Sequence, residues 1–211
     1  MKIVRNSLES FSLKYPLEQL GSLDRILFLD IETTGFSSAS SYLYLIGCTF
    51  QKDDTWQTIQ WFAEKHEEEP AILTAFFDFA AAYRYLLHFN GTTFDLPFIQ
   101  HKCARHKLSF SFDGLESIDL YKKISPCKYL LKLPNCKQKT LEQFLGIPRD
   151  DIYDGGELIG LYHEYVKSPS SITEKKILLH NQEDMLGMLE ILPVLSYYDL
   201  FTKEVKKKKV Q

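Results

Sequence analysis

Apolar and polar positions along this chain keep two different periods, and the changes of period mark its elements. Residues 26–29 are continuously apolar and close on Asp30, Ile31, Glu32 and Thr33, the pattern of a strand buried on both faces that ends in polar groups. After the polar turn GFSSASS, segments 42–50 (YLYLIGCTF) and 55–63 (TWQTIQWFA) predict a second and third strand, separated by QKDD. Three strands on short links predict an antiparallel meander. Residues 67–84 open on an acidic turn with Pro70 and carry a broad apolar face, which predicts a helix. A fourth strand is predicted over 85–90 and a helix over 93–107, where Pro97 is tolerable only near the N-terminus. Residues 116–124 predict a fifth strand or edge element, 125–139 a loop, and 140–147 a short helix closed by Gly146. Helices follow over 155–166 and 170–198, the second with Ser170 or Ser171 as N-cap. Residues 1–24 predict an arm or short helix, 25–200 one domain, and 201–211 a basic tail. The order of elements predicts an α/β fold: a mixed sheet with helices on its faces.

Composition narrows the function classes. The chain has 211 residues, 45% apolar and 14% aromatic, enough to bury a sizeable core and to exclude wholesale disorder. A formal net charge of −3 excludes binding of nucleic acid by bulk positive charge, so any such contact must be local. Cys48, Cys103, Cys127 and Cys136 form no CxxC pair, which predicts free thiols rather than a zinc or disulfide framework. The first twenty residues lack a secretory pattern, and no run approaches the ~20 apolar residues of a membrane span. A cytoplasmic protein without membrane contact is the expectation.

Three blocks carry candidate chemistry. Asp30 and Glu32 lie two apart on a strand and so share a face. Paired carboxylates at the end of a buried strand repel one another unless a hard cation such as Mg²⁺ or Mn²⁺ sits between them. Asp95 opens a helix just after the Asn90-Gly91 turn, at the carboxyl end of a central strand, where α/β sheets form their sites. His180 and Asp184, four apart, share a face of the last long helix. Each block alone has an ordinary reading: a capped strand end, an N-cap, and a solvent-facing i,i+4 pair.

Taken together, FLDIETTG, FNGTTFDLPFI and HNQEDMLGM resemble the DEDD exonuclease superfamily of the RNase H-like fold, which includes polymerase proofreading domains, RNase D and RNase T. The chain most resembles bacterial YprB-type domains, which share SYLYLIGCTF, and the resemblance covers about residues 25–195. It implies an RNase H-like mixed sheet, a three-stranded antiparallel meander plus parallel strands flanked by helices. It also implies a metal-dependent 3′–5′ exonuclease acting on single-stranded DNA or RNA ends. The implied ligands of two Mg²⁺ or Mn²⁺ ions are Asp30, Glu32, Asp95 and Asp184, with Asp30 between the ions and His180 orienting or deprotonating the attacking water. One feature departs from the family pattern: His180 stands four residues before the last aspartate, where the family has Tyr, whereas its His stands five before. Competing readings are a non-catalytic nucleic-acid-binding RNase H-like module, a scaffold without nucleic acid, and an endonuclease.

Substrate contacts are less marked. Thr33 and Thr34 offer backbone N–H groups, Phe36 stands in a polar turn suited to stacking on a base, and Asn90 shapes the turn or touches substrate. Phe94 flanks the same blocks and, like Phe89, reads as core or as a stacking surface. Lys128, Lys132, Lys137 and Lys139 make the 128–139 loop a candidate phosphate contact. Asp119 and Asp154 read as structural and outside the metal set.

Overall fold

Strand β2 (Ile26–Thr33) sets the layout of the molecule. Its side chains alternate between two apolar clusters: Leu27, Leu29 and Ile31 in one, Ile26 and Phe28 in the other. A computed structural model describes residues 1–9, 11–200 and 202. β3 (Leu43–Lys52) and β4 (Thr55–Phe62) follow β2 as antiparallel neighbours, the expected meander. On the other side β5 (Tyr85–His88) runs parallel to β2, and β6 (Glu116–Asp119) runs parallel to β5.

The N-terminal segment differs from its expected arm or short helix. Lys2–Ser7 is a strand, β1, pairing antiparallel with β4 and giving the order β1-β4-β3-β2-β5-β6. Its six residues are mostly exposed, so its conformation comes from the open edge of β4 rather than from a buried face of its own. The basic tail expected over 201–211 lies outside the described residues, apart from Thr202.

Helices cover both faces. α1 (Glu69–Ala80) and α2 (Asp95–Arg105) bury Phe76, Phe77, Phe98 and Ile99 with the Leu27 side of β2. The segment 116–124 divides at Asp119, whose side chain accepts from Lys122 N and caps α3 (Leu120–Ile124). α4 (Gln138–Leu145) ends at Gly146 with φ 70°, the left-handed cap predicted for it. α5 (Gly155–Lys167) starts on a capping box from Asp154 and Glu157. α6 (Ser171–Ile191), capped by Ser170, packs Met185, Met188 and Leu189 on the Phe28 side. α6 stops short of its predicted end: Pro193, without an N–H, tightens the chain into a 3₁₀ turn at Leu192–Val194 before helix resumes over 195–200. Among the described residues no helix is long and apolar enough to cross a membrane.

A buried ion pair fixes the loop after β2. Lys102 of α2, fully buried, lies 3.3 Å from Glu69 of α1 and donates to the carbonyl of Ser41. Arg105 Nη1 donates to the carbonyl of Ala39 at 2.9 Å, and Glu69 Oε1 accepts from Leu43 N at 2.6 Å. The turn that carries Phe36 is thereby held to α2.

Candidate metal centre

The centre starts from a row across the sheet. Asp30 of β2 stands opposite Gly47 of β3, and Gly47 opposite Gln60 of β4. Directly opposed residues share a face. α6 crosses this row closely: a Cβ on Gly47 would stand 2.1 Å from Asn181 Oδ1 and 2.7 Å from Met185 Sδ. Asn181 is fully buried and links the row, accepting from Gln60 Nε2 at 2.8 Å and donating to Asp30 Oδ2 at 2.7 Å.

One residue before Asn181, His180 is buried, and its Nε2 lies 3.9 Å from Glu32 Oε1 and 3.4 Å from Asp184 Oδ2. The i,i+4 pair therefore faces the carboxylates of β2 rather than bulk solvent. His180 Nδ1 meets Asp151 Oδ2 at 2.7 Å. A charged carboxylate only accepts, so Nδ1 donates in this bond. Asp151 also receives Tyr153 N at 3.0 Å, Arg149 Nη2 at 3.2 Å and Lys139 Nζ at 3.3 Å. Arg149 reaches further, to Asp184 Oδ1 at 2.6 Å, Glu142 Oε2 at 3.0 Å and Glu183 Oε2 at 3.4 Å.

Asp95 approaches from the end of β5. It is the first residue of α2, with Phe94 rather than Asp95 in the cap position. Asn90 sits at φ 62°, and a Cβ on Gly91 would stand 2.8 Å from the His88 ring. Asp119 holds this turn by accepting from Asn90 N at 2.9 Å and from Thr92 Oγ1 at 2.6 Å. The structural reading of Asp119 is the observed one, and Asn90 N is committed to it.

Electrostatics show the convergence. Burial raises the Asp30 carboxyl well above the usual carboxylate range, and Glu32, Asp184 and Asp95 add repulsion against the Asn181 hydrogen bond. Glu32 is raised likewise by burial, then by Asp184, Asp95 and Asp151. Burial pushes Asp95 up to about 7, against its backbone hydrogen bonds and with Asp119 and Asp184 adding repulsion. Asp151 behaves oppositely: burial opposes its charge, but the Tyr153 N–H, His180 and Lys139 hold it below the ordinary value. Packed carboxylates that resist ionisation are what a divalent cation relieves. Glu32, His180 and Asp184 each offer a ligand atom within 4.8 Å of the others. An oxygen-rich set with one imidazole suits a hard or borderline cation, so the residues present fit the expected metals.

The expected substrate contacts divide. Phe36 is 87% exposed and meets Phe94 edge-on, ring centroids 6.2 Å apart. Phe94 is half-buried against the core. Thr33 Oγ1 donates to Gly35 O at 2.9 Å. Thr34 departs from expectation: just past the last pair of β2 and β3, its N–H donates to Tyr42 O at 2.8 Å, so that group is not free for a substrate. Lys139, expected among phosphate contacts, holds Asp151 and the Tyr153 carbonyl. Asn181, Asp151 and Arg149 escaped the sequence reading. Asn181 was within reach of it, standing one turn before Asp184 in the same block; Asp151 and Arg149 are brought in by a fold-back of the chain that no spacing encodes. A surface hollow lined by Glu18, Asp24, Gln51 and Asp53 lies at the other end of β2, away from these carboxylates.

Many solved structures share the fold, among them a DNA polymerase and an exonuclease. A family B DNA polymerase from the hyperthermophilic archaeon Pyrobaculum calidifontis aligns at TM-score 0.60 and 15% identity, over 79% of this chain and 24% of the polymerase. Exonuclease I aligns at TM-score 0.51 and 15% identity, over 84% of this chain and 43% of the enzyme. The chain thus spans less than half the length of either. No curated protein matches it by sequence. Residues 27–196, from the second residue of β2 to beyond α6, match the family model of the RNase_H superfamily, and the chain belongs to that family.

Proposed function

We propose that this chain is a divalent-metal-dependent nuclease that removes nucleotides from the 3′ end of single-stranded DNA or RNA, in the manner of the YprB-type branch of the DEDD exonucleases. The observation that carries this reading is the cluster of Glu32, His180 and Asp184, each with a ligand atom within 4.8 Å of the others, beside which Asp30 and Asp95 complete four carboxylates drawn from β2, α2 and α6. Carboxylates crowded in this way are relieved by a shared cation. Those four residues would hold two Mg²⁺ or Mn²⁺ ions, which when bound supply Lewis acidity to the attacking water and to the leaving 3′-oxygen. His180 Nε2, directed at Glu32 and Asp184, takes the proton of that water. Asn181 holds Asp30 by its Oδ2, leaving Oδ1 for a ligand. Phe36, exposed beside the site's loop, stacks on the terminal base. The likeness to exonuclease I supplies the fold; the chemistry rests on the carboxylates.

The test is incubation of the pure protein with labelled single-stranded DNA and RNA carrying free or blocked 3′ ends, in Mg²⁺, Mn²⁺ or EDTA. Stepwise shortening in either metal, none in EDTA, stalling on blocked ends, and loss of at least about 100-fold in Asp30→Asn are expected. Binding of the strands with no cleavage in any metal would establish the non-catalytic module instead. Internal cutting of blocked strands would make the protein an endonuclease.

A further inference from the structure

His180 stands one helical turn before Asp184, so its ring lies directly over that carboxylate, 3.4 Å from Oδ2 to Nε2. Which ring nitrogen carries the proton depends on what each one meets, and within α6 only Asp184 lies by Nε2. That choice decides the chemistry: a bare Nε2 accepts a proton or binds a cation, whereas an Nε2–H does neither. The group that meets the other nitrogen comes from outside the helix. Asp151, in the segment between α4 and α5, accepts at 2.7 Å from Nδ1, and its side chain is 1% exposed. It is itself fixed on both oxygens, Oδ1 by Tyr153 N and Oδ2 by Arg149 and Lys139. Arg149 also grips Asp184, so one guanidinium aligns the carboxylate under the ring and the carboxylate behind it. The segment is further tied to α6 by Glu183, which accepts from the backbone N–H groups of Asp150 and Asp151 at 2.9 and 3.0 Å.

We infer that Asp151 is a positioning residue, which holds the His180 imidazole in the Nδ1–H tautomer and turns a bare Nε2 toward Glu32 and Asp184. Its consequence for catalysis rests on the nuclease reading above, but the tautomer is a property of the protein without metal or substrate. In a ring with a single proton, a carboxylate that accepts from Nδ1–H leaves the lone pair of Nε2 to face the site. Replacing it by an amide of the same size allows donation to Nδ1 instead, which moves the ring proton to Nε2 and points it at the site. A longer carboxylate still accepts and preserves the tautomer.

Long-range ¹⁵N–¹H correlation spectra of the metal-free full chain at about pH 8 show directly which ring nitrogens of His180 carry a proton. The His180 signals are identified by their loss in His180→Gln. The wild-type protein is expected to carry its proton on Nδ1, Asp151→Asn to carry it on Nε2, and Asp151→Glu to keep it on Nδ1. In the cleavage assay Asp151→Asn is expected to lower kcat on the order of 10²- to 10⁴-fold with KM within about twofold, and Asp151→Glu to recover part of the loss. A wild-type ring with a proton on Nε2, alone or together with one on Nδ1, or a tautomer unmoved by Asp151→Asn, overturns the inference; the wild-type spectrum decides even if a variant does not fold. An Nδ1–H tautomer in a protein that cleaves nothing upholds the assignment and sinks the nuclease reading alone.

Discussion

Burial makes His88, at the end of β5, a hydrogen-bonding strut rather than a titrating group. Its Nδ1 accepts from Gly91 N at 3.1 Å, which leaves the proton on Nε2, 2.7 Å from Ser117 Oγ. Burial lowers its pKa from 6.5 to about 4 despite the nearby Asp119. A base depressed in the folded state contributes stability that is complete above its unfolded pKa and is lost as pH falls toward the folded value. Between about pH 8 and pH 4 that share is about 3 kcal/mol. Urea unfolding of wild type and His88→Gln at both pH values is therefore expected to show the gap between them narrowing by that amount on acidification; a constant gap would mean the ring is already charged in the fold. The turn His88 supports was legible in the sequence, because Asn-Gly after a strand demands the left-handed backbone that Asn90 adopts. Asp151 was not legible, since its partner is 29 residues away and only the packing of the 146–154 segment on α6 joins them.

Close approach of α6 to the sheet is the element-level event on which the centre depends. It is permitted at Gly47, where any side chain would strike Asn181 and Met185. Gly47→Ala is expected to cost about 1–3 kcal/mol in unfolding free energy through overpacking. It should also weaken the Asn181 hold on Asp30, so cleavage should fall even at temperatures where the variant is folded. Thermal melts and rates measured together check this, and an unchanged rate would mean that Asn181 does not orient Asp30. The meander and the longer helices could be read from period, because each is a local pattern with a buried face; α3, five residues long, could not, and it takes the second half of a segment expected as strand or edge. β1 could not, because an edge strand six residues long takes its form from its neighbour. The break at Pro193 lies inside an apolar run whose helical period continues on both sides of it, and that run masks the effect of the missing N–H.

At the scale of the whole molecule, a net charge of −3 conceals a strongly uneven distribution. Four carboxylates gather at one end of the sheet, and among them Arg149 pairs directly with Asp184. Cation binding to the folded state alone stabilises it by mass action, about 2.7 kcal/mol at a hundredfold excess over Kd. Mg²⁺ or Mn²⁺ is accordingly expected to raise the melting temperature, EDTA to reverse the rise, and Asp30→Asn to blunt it. An equal rise in Asp30→Asn and wild type would locate the cation elsewhere. Arg149 has a consequence of another kind. A single guanidinium serves acidic partners in α4, in the following segment and in α6, so no one of those positions can change without altering the load on the others. Substitutions there should combine non-additively, a damaging change at one acid being tolerated or worsened according to the residue at another. Evolution at this corner is thereby constrained to move in concert rather than one codon at a time.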